Sequence, residues 1–309
     1  MKKRAIIFLL VSLVVVSIIL PALAASPSEN NEEIPEPEVE QEVEPEQEAD
    51  PPAFIYLNGV PQYVEYELRK GTTYVTVSSF VSMIDPQAAV EEEKGIVAVS
   101  SARVEQIVDA EGNTANVEQE TLSMTVSTKT PYIVANGRYL YAKDSIVMVN
   151  GHVAVPIRML AQVFNLDVGY NGTVLLTRKQ TRSAYIQPGD SYYDDDTLYW
   201  LSHIINAESG NQPLDGMIAV GNVVMNRVND PLFPDNIYDV LYQKNQFSPA
   251  GSGSIKNTPN DESVVAAKLV MDGAQVMPSA LFFARAGMSC FASRTRTYVA
   301  TIGDHAFYD

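Results

Sequence analysis

Glu208 stands at the end of an apolar stripe that has the spacing of a helix. Leu201, Ile204, Ile205 and Glu208 fall at i, i+3, i+4 and i+7, so they share one face of that helix. A carboxyl there is partly removed from water and lies near the negative end of the helix dipole, and both effects raise its pKa. A carboxyl that keeps its proton near neutral pH can act as a general acid. The alternative is a frayed last turn from which Glu208 points into water.

The helix that would carry Glu208 has capping signals at both ends. Asp196 or Thr197 is suited to cap its first turn, and helical periodicity runs from Leu198 to Ala207. Gly210 can end the helix, because glycine adopts the backbone conformations that terminate helices. The sequence therefore predicts a helix whose last turn presents the carboxyl.

Other side chains with reactive chemistry are few. Cys290 is the single cysteine, so no intramolecular disulfide can form within the chain. It is either a catalytic thiol or a small buried apolar group, and the lack of a Cys-His signature around it favours the second. His152, His203 and His305 are scattered without the spacing of metal ligands. We therefore expect neither a bound metal nor another cofactor.

The first 25 residues have the parts of a secretory signal peptide. Lys2, Lys3 and Arg4 precede an apolar run over residues 5–20, and a small-residue stretch follows at 22–25. A retained membrane anchor is the alternative, but the run is shorter than the roughly 20 residues that a spanning helix needs. We expect export, cleavage and no stable membrane insertion afterwards, which places the protein outside the cytoplasmic membrane.

Residues 26–52 form an acidic, proline-containing segment with eleven Asp or Glu and no Lys or Arg. Such a segment buries too little apolar surface to offset its ordering entropy, and its charges repel one another, so we expect a disordered linker. A specific interaction tail is the alternative. The formal net charge of the chain is -17. This acidic balance argues against nucleic acid as a partner.

Residues 53–178 contain an internal repeat of strand and turn chemistry. The stretch 71–77 matches 151–157 at an offset of 80 positions. In each copy the strand leads into a short amphipathic helix and then a final strand, at 96–101 and at 173–178. Two copies of one unit predict a pseudo-symmetric α+β module with one shared core.

The second copy of the repeat resembles the stalk module named after the N-terminal domain of copper amine oxidases. The resemblance rests on Val155-Pro156-Ile157-Arg158, where the first copy has Val75-Thr76-Val77-Ser78. It implies a non-catalytic module that spaces or binds cell wall. Copper is not expected, because His152 is the one available imidazole ligand there. Residues 179–195 are predicted to be a polar linker to the next domain.

Residues 207–228 (AESGNQPLDGMIAVGNVVMNRV) resemble the catalytic segment of the spore-cortex-lytic enzyme family of cell wall hydrolases, the SleB type. In that family a glutamate precedes a proline, a glycine, an Ala-Val helix and Asn-Arg-Val; here these are Glu208, Pro213, Gly216, Ala219-Val220 and Asn226-Arg227-Val228. Further matches follow in order at 233–249, 258–273, 280–284 and 302–308. The resemblance covers residues 197–309 and implies that Glu208 is the catalytic acid.

The sequence departs from this family at the position of a second acid. Many relatives have a glutamate where this chain has Gln212. A mechanism with two carboxyls must therefore use another residue, and the candidates are Asp215, Asp261 and Asp304. Each of these is also a natural cap or turn residue.

Six side chains are predicted to bind a sugar substrate: Asn222, Asn226, Gln246, Phe247, Phe283 and His305. Amides can bond sugar hydroxyls and aromatic rings can stack on sugar faces. Each also has a structural alternative, in which the amides bond backbone groups within the helix predicted from about Leu214 to Val228 and the rings pack in the core. Gly221 would let another element approach that helix. Alternation in a strand should send one ring of Phe282-Phe283 to the core and the other to the groove.

We therefore expect an α+β protein: a strand-rich two-repeat module at 53–178, then a mostly helical domain at 196–309 that resembles lysozyme and lytic transglycosylases. The two regions are expected to have separate cores. The expected reaction is cleavage of the β-1,4 bond between N-acetylmuramic acid (MurNAc) and N-acetylglucosamine (GlcNAc) in peptidoglycan strands, by lytic transglycosylation with Glu208 alone. A hydrolytic muramidase and a non-catalytic wall-binding or spore structural protein are the alternatives. The target is either spore cortex or vegetative wall.

Overall fold

Between residues 55 and 178, the described part of the chain alternates strands with two helices, and beyond residue 178 it is mainly helical. The computed structural model describes residues 55–108, 114–143, 145–180 and 183–309, with side chains in all of these except 104–108 and 114–118. The predicted signal peptide at 1–25 and the acidic linker at 26–52 lie outside the described residues. The predicted α+β class, with a strand-rich region before a helical one, is confirmed.

The described strands, in chain order, are β1 Ile55–Leu57, β2 Val60–Gln62, β3 Tyr66–Arg69, β4 Thr72–Thr76, β5 Ala89–Glu93, β6 Ile96–Val108, β7 Thr114–Ser127, β8 Tyr132–Ala135, β9 Arg138–Tyr141, β10 Val147–Val149, β11 His152–Pro156, β12 Leu166–Tyr170, β13 Val174–Arg178, β14 Phe282–Arg285, β15 Tyr298–Ile302 and β16 His305–Tyr308. The described helices are α1 Val77–Ile84, α2 Ile157–Val163, α3 Gly189–Tyr192, α4 Asp195–Ser209, α5 Leu214–Asn229, α6 Ile237–Leu241, α7 Ser248–Ser252, α8 Asp261–Met271 and α9 Phe291–Thr295. A 3-10 turn covers Ser254–Lys256.

The two sequence repeats meet at a pair of antiparallel strands. β4 pairs with β11, and Val75 lies directly opposite Val155, its equivalent in the other copy. Each strand runs straight into a helix, α1 or α2, so the pairing places the two copies about a pseudo-two-fold relation. The final strands of the copies separate, because β6 joins a five-stranded sheet and β13 joins a different sheet beside β1.

One cluster of buried side chains serves both repeats. Phe80 of α1 and Phe164, the residue after α2, are buried, and their ring centroids lie 5.9 Å apart. Tyr185 packs on Phe164 and donates its hydroxyl to Ser101 Oγ at 2.9 Å. Because Tyr185 and Ile186 are buried in this cluster, the predicted linker at 179–195 is in part an element of the module's core.

Three helices form the frame of the C-terminal region. α4, α5 and α8 pack on one another through the buried residues Leu201, Ile204, Met217 and Ala266 among others. α4 begins at Asp195, two or three residues before the start that a cap at Asp196 or Thr197 would give, because Asp194 is the cap and its Oδ1 accepts a hydrogen bond from Thr197 N at 2.8 Å. The prediction of Asp196 or Thr197 as the cap is therefore wrong. A three-stranded sheet in the order β14-β16-β15 lies against α5.

The β8–β9 hairpin of the module contacts the C-terminal helices. Its Tyr132, Tyr139 and Tyr141 pack against the same apolar cluster that α4, α5 and α8 bury. Asp272, directly after α8, accepts hydrogen bonds from Arg138 Nε at 2.7 Å and from Tyr139 N at 3.1 Å. The two regions thus have their own buried clusters but share an interface with a buried ion pair. Among the described residues, no helix is long and apolar enough to cross a membrane.

Candidate active site

Glu208 is held in the last turn of α4 by contacts on either side of it. Leu201, Ile204 and Ile205 are buried, as the stripe predicts, and Glu208 itself is half-buried. Asn260 ties this end of the helix to the start of α8: its Nδ2 donates to Gly210 O at 2.9 Å. The last turn is therefore anchored, and the frayed alternative does not describe it.

A cavity of about 720 Å³ lies beside the end of α4. Glu208 is the one carboxyl among the described side chains that line it. Burial raises the pKa of Glu208 above its ordinary value, and no described charged or hydrogen-bonding neighbour contributes to this shift. A carboxyl in this position has the property that a general acid needs, because it keeps its proton to a higher pH than an exposed glutamate.

Four of the six predicted sugar-binding residues line the same cavity, namely Gln246, Phe247, Phe283 and His305. Gln246 is exposed and Phe247 is 5% exposed, so the amide is accessible while the ring forms part of the wall. His305 stands edge-on to Phe283, with centroids 5.3 Å apart. Its Nδ1 is buried without a hydrogen-bond partner among the described residues, and burial lowers its pKa. Burial therefore favours the neutral form of His305.

Both rings of Phe282-Phe283 line the cavity, so the expected division into one core ring and one groove ring is wrong. Phe282 and Phe283 lie on opposite faces of β14 and pack against different clusters of side chains. Phe283 packs with Phe307 and Phe247, and Phe282 packs beside Phe233 and Phe291. The cavity is wide enough to reach both faces of the strand.

Arg227 lines the cavity, although it was not among the predicted site residues. It belongs to the motif Asn226-Arg227-Val228. It is 4% exposed, its Nε donates to Leu281 O at 2.7 Å, and its Nη1 has no partner among the described residues. Its position repeats the pattern that singled out Glu208, since Val220, Val223, Val224 and Arg227 fall at i, i+3, i+4 and i+7 on the buried face of α5. A charged residue at the end of an apolar stripe was the signal that could have identified it.

Asn222 and Asn226, which were predicted to bind sugar, form hydrogen bonds to backbone groups and are not among the residues that line the cavity. Asn222 is fully buried; its Oδ1 accepts from Val276 N and Met277 N at 2.8 and 3.0 Å, and its Nδ2 donates to Ala274 O at 2.7 Å. Asn226 Nδ2 donates to two carbonyl oxygens of the segment that leads to β14. Both amides hold the chain after α8 against α5, so the alternative of backbone bonding describes them. Gly221 permits close approach, because a Cβ there would lie 2.9 Å from Val270 Cγ2.

The three candidate aspartates are not among the residues that line the cavity. Asp215 accepts a hydrogen bond from Tyr141 Oη at 2.7 Å and pairs with Lys143. Asp261 is the first residue of α8. Asp304 sits in the β15–β16 turn, where its backbone N–H donates to Gln212 Oε1 at 2.8 Å. None of the three lines the cavity.

Cys290 also departs from the expectation. It is half-exposed instead of buried, it lines the cavity, and it caps α9 by accepting from Ser293 N at 3.4 Å. That backbone hydrogen bond lowers the pKa of the thiol. Of the histidines outside the cavity, His203 packs on Tyr199 and His152 pairs with Glu92. Within the described ranges, no group of three or more His, Cys, Asp or Glu is placed to hold a metal ion.

Two family profiles match this chain. Residues 211–308 match the family described as Cell Wall Hydrolase, a match that begins just after Glu208. Residues 56–176 match the Copper amine oxidase N-terminal domain. The two matches fall on the helical region and on the repeat module respectively.

Curated relatives share the C-terminal region. The spore cortex-lytic enzyme of Bacillus subtilis is 27% identical over 113 residues, 37% of this chain and 36% of that protein. That of Oceanobacillus iheyensis is 27% identical over 116 residues, 37% of this chain and 42% of that protein. The chain thus spans less than half the length of these relatives.

Solved structures with similarity include the catalytic domain of the germination-specific lytic transglycosylase SleB from Bacillus anthracis. It is 25% identical, with a TM-score of 0.36 over 38% of this chain and 97% of that one. The catalytic domain of the Bacillus cereus SleB protein gives the same identity and TM-score and is covered to 92%. The chain therefore carries a region that matches the cell wall hydrolase family at 211–308, preceded by one that matches the copper amine oxidase N-terminal domain at 56–176.

Proposed function

We propose that this protein is a peptidoglycan-lytic enzyme that cleaves the MurNAc-GlcNAc β-1,4 bond with Glu208 as its general acid. The observation that carries the proposal is Glu208 itself: a half-buried carboxyl with a raised pKa on the wall of a large cavity. The match to the cell wall hydrolase family and the names of the curated relatives support the substrate class.

The first chemical step is transfer of a proton to the leaving group. Glu208 donates its proton to the glycosidic oxygen, the bond from that oxygen to C1 of MurNAc breaks, and GlcNAc leaves with a free 4-hydroxyl. The remaining MurNAc develops oxocarbenium character at C1. Glu208 is now an anion, and its desolvated surroundings favour its return to the protonated form.

The second step regenerates the acid without a second carboxyl. Glu208 takes the proton of the sugar's own 6-hydroxyl while O6 bonds to C1, which closes a 1,6-anhydro ring and consumes no water. This route is favoured over hydrolysis, because an inverting or retaining hydrolase uses a pair of carboxyls. Asp215, Asp261 and Asp304 are not among the residues that line the cavity.

The N-terminal parts of the chain fit an extracytoplasmic role. Lys2, Lys3 and Arg4 followed by an apolar run direct export, and the module at 53–178 spaces the catalytic region or binds it to wall. Sedimentation of the isolated module with purified sacculi distinguishes the two roles. A module that stays in solution while the full protein sediments would be only a spacer.

The decisive experiment is the Glu208→Gln variant assayed on purified sacculi. The amide keeps the shape and the hydrogen-bond reach of the side chain but cannot deliver a proton, so activity should fall by about two to four orders of magnitude. Glu262→Gln is the matched control, because Glu262 is an exposed carboxyl on α8. Mass spectrometry of the released fragments should show anhydro-MurNAc ends. Substantial activity in a folded Glu208→Gln protein would exclude this mechanism.

A further inference from the structure

Arg227 is a buried cation at the wall of the candidate active site, and no described residue supplies a counterion for it. It is one of the side chains that line the cavity, and none of the ion pairs among the described residues includes it. Its guanidinium carbon lies 5.0 to 5.2 Å from the ring centroids of Phe233, Phe247 and Phe282. Burial lowers its pKa to about 10, so the group is still charged at neutral pH.

The rim of the same cavity is basic within an acidic protein. Residues 281–303 include three arginines and no Asp or Glu, although the whole chain carries 38 acidic and 21 basic residues. Arg285 is exposed and lines the cavity, and Arg296 stacks over Phe282 at 4.6 Å. Neither forms an ion pair in the described part of the chain. The cavity therefore combines one desolvated cation with exposed cations at its edge.

A buried charge is costly unless a partner satisfies it, and here no described residue does so. The ring faces around Arg227 offset part of this cost through cation-π attraction, and Leu281 O accepts one of its protons. Nη1 remains without an acceptor. A planar guanidinium binds a carboxylate through paired hydrogen bonds, so a substrate carboxylate is the chemistry that would complete this site.

We propose that Arg227, with Arg285 and Arg296 at the rim, binds a carboxylate carried by the peptidoglycan strand and so selects acidic strands over neutral ones. This rests on the proposed function and defines the substrate class of that site. Two sources can supply the group: the carboxyls of the stem peptide, or the lactyl carboxyl of a MurNAc that has lost its peptide. A MurNAc converted to a neutral lactam offers neither.

The test measures binding of soluble, labelled glycan strands to the full-length Glu208→Gln variant, so that no cleavage is needed. Strands are used with intact stem peptides and after enzymatic removal of the peptides, and each form is also amidated with carbodiimide and ammonia. We expect amidation to weaken binding roughly tenfold to a hundredfold, the range for one charge-assisted hydrogen-bonded contact. Adding Arg227→Gln should abolish the difference between charged and amidated strands.

The comparison of the four strands also identifies the source. Weak binding after peptide removal assigns the carboxylate to the stem peptide, whereas retained binding that is lost on amidation assigns it to the lactyl group. Lys94→Gln is the control, because Lys94 is an exposed cation in the repeat module. Arg285→Gln and Arg296→Gln should each reduce the discrimination in part, which keeps the proposal testable if Arg227→Gln unfolds. Equal binding of charged and amidated strands overturns it, while failure of the unmutated enzyme to cleave any strand bears on the proposed function instead.

Discussion

Arg138 of the repeat module and Asp272 of the C-terminal helical region form a buried ion pair, with Arg138 Nε 2.7 Å from Asp272 Oδ1. The two side chains are 7% and 0% exposed. Asp272 also accepts from Tyr139 N of the module. The module therefore supplies the counterion and a backbone hydrogen-bond donor for a carboxylate that belongs to the C-terminal helical region.

Arg138→Met should strongly destabilise the protein, because it leaves Asp272 buried without its cation. Removal of one partner from a buried pair typically lowers the free energy of unfolding by about 3–5 kcal/mol. The double variant Arg138→Met/Asp272→Leu should recover much of this loss. Urea denaturation measures both, with Lys94→Gln in the exposed pair with Glu93 as the control, expected to change stability by about 0–1 kcal/mol. If Arg138→Met lowered the free energy of unfolding no more than Lys94→Gln does, the Arg138–Asp272 pair would not be effectively buried.

A fragment that lacks residues 1–178 should be less stable than the full chain, even though each region has its own buried cluster. The truncation removes the hairpin tyrosines from the apolar cluster of the helices and takes Arg138 from Asp272. We expect a fragment with exposed apolar surface, and Asp272→Asn within it should be stabilising. Thermal melts and dye binding of the fragment, with and without Asp272→Asn, check this. A fragment as stable as the full chain would show that the interface contributes little.

The pH dependence of activity should report the pKa of Glu208. Burial raises this pKa above its ordinary value of 4.5. We therefore expect kcat/KM to remain high at pH values above 4.5 and to fall as pH rises through the folded-state pKa. The free energy of unfolding should depend on pH in the same direction. Because the native state holds the Glu208 proton more tightly than the unfolded state, this stabilising contribution is fully present below pH 4.5 and is lost as pH rises through the folded-state pKa. Glu208→Gln should therefore melt higher than the unmutated protein at neutral pH, with a difference that shrinks on acidification.

Asn222→Ala should affect folding far more than substrate affinity. It leaves Val276 N, Met277 N and Ala274 O without their partner in the interior. We expect a loss of about 2–4 kcal/mol in unfolding free energy, because each orphaned buried group is costly. Asn226→Ala, half-buried, should lose about 1–2 kcal/mol. A stable Asn222→Ala protein with a raised KM would restore the original prediction of sugar contact.

Conservative changes at the three aspartates should leave the chemistry largely intact. Asp215→Asn, Asp261→Asn and Asp304→Asn should each reduce activity by less than about tenfold, well below the loss from a positioned acid. The products of all three should still carry anhydro-MurNAc ends. Reducing-end MurNAc, together with a large loss at one of these positions, would instead indicate a hydrolase with two carboxyls. Assay of initial rates and mass spectrometry of the fragments distinguish these outcomes.

Several features of this protein follow from the sequence by itself. The apolar stripe before Glu208 identified the helix, its buried face and the position of the carboxyl, because helical periodicity is a local property of the chain. The offset of 80 positions between the repeats identified the equivalence of Val75 and Val155, which the strand pairing places opposite one another.

The walls of the cavity were decided only by the tertiary structure. Segments around Phe247, Phe283 and Cys290 meet beside Glu208, although each is distant from it in the sequence. Local periodicity indicates which face of a helix is buried but not which residues cover it. For that reason the sequence could not distinguish a structural Asn222 from a binding one. Nor could it show that Arg227 lines the same cavity as Glu208 with no ion-pair partner among the described residues.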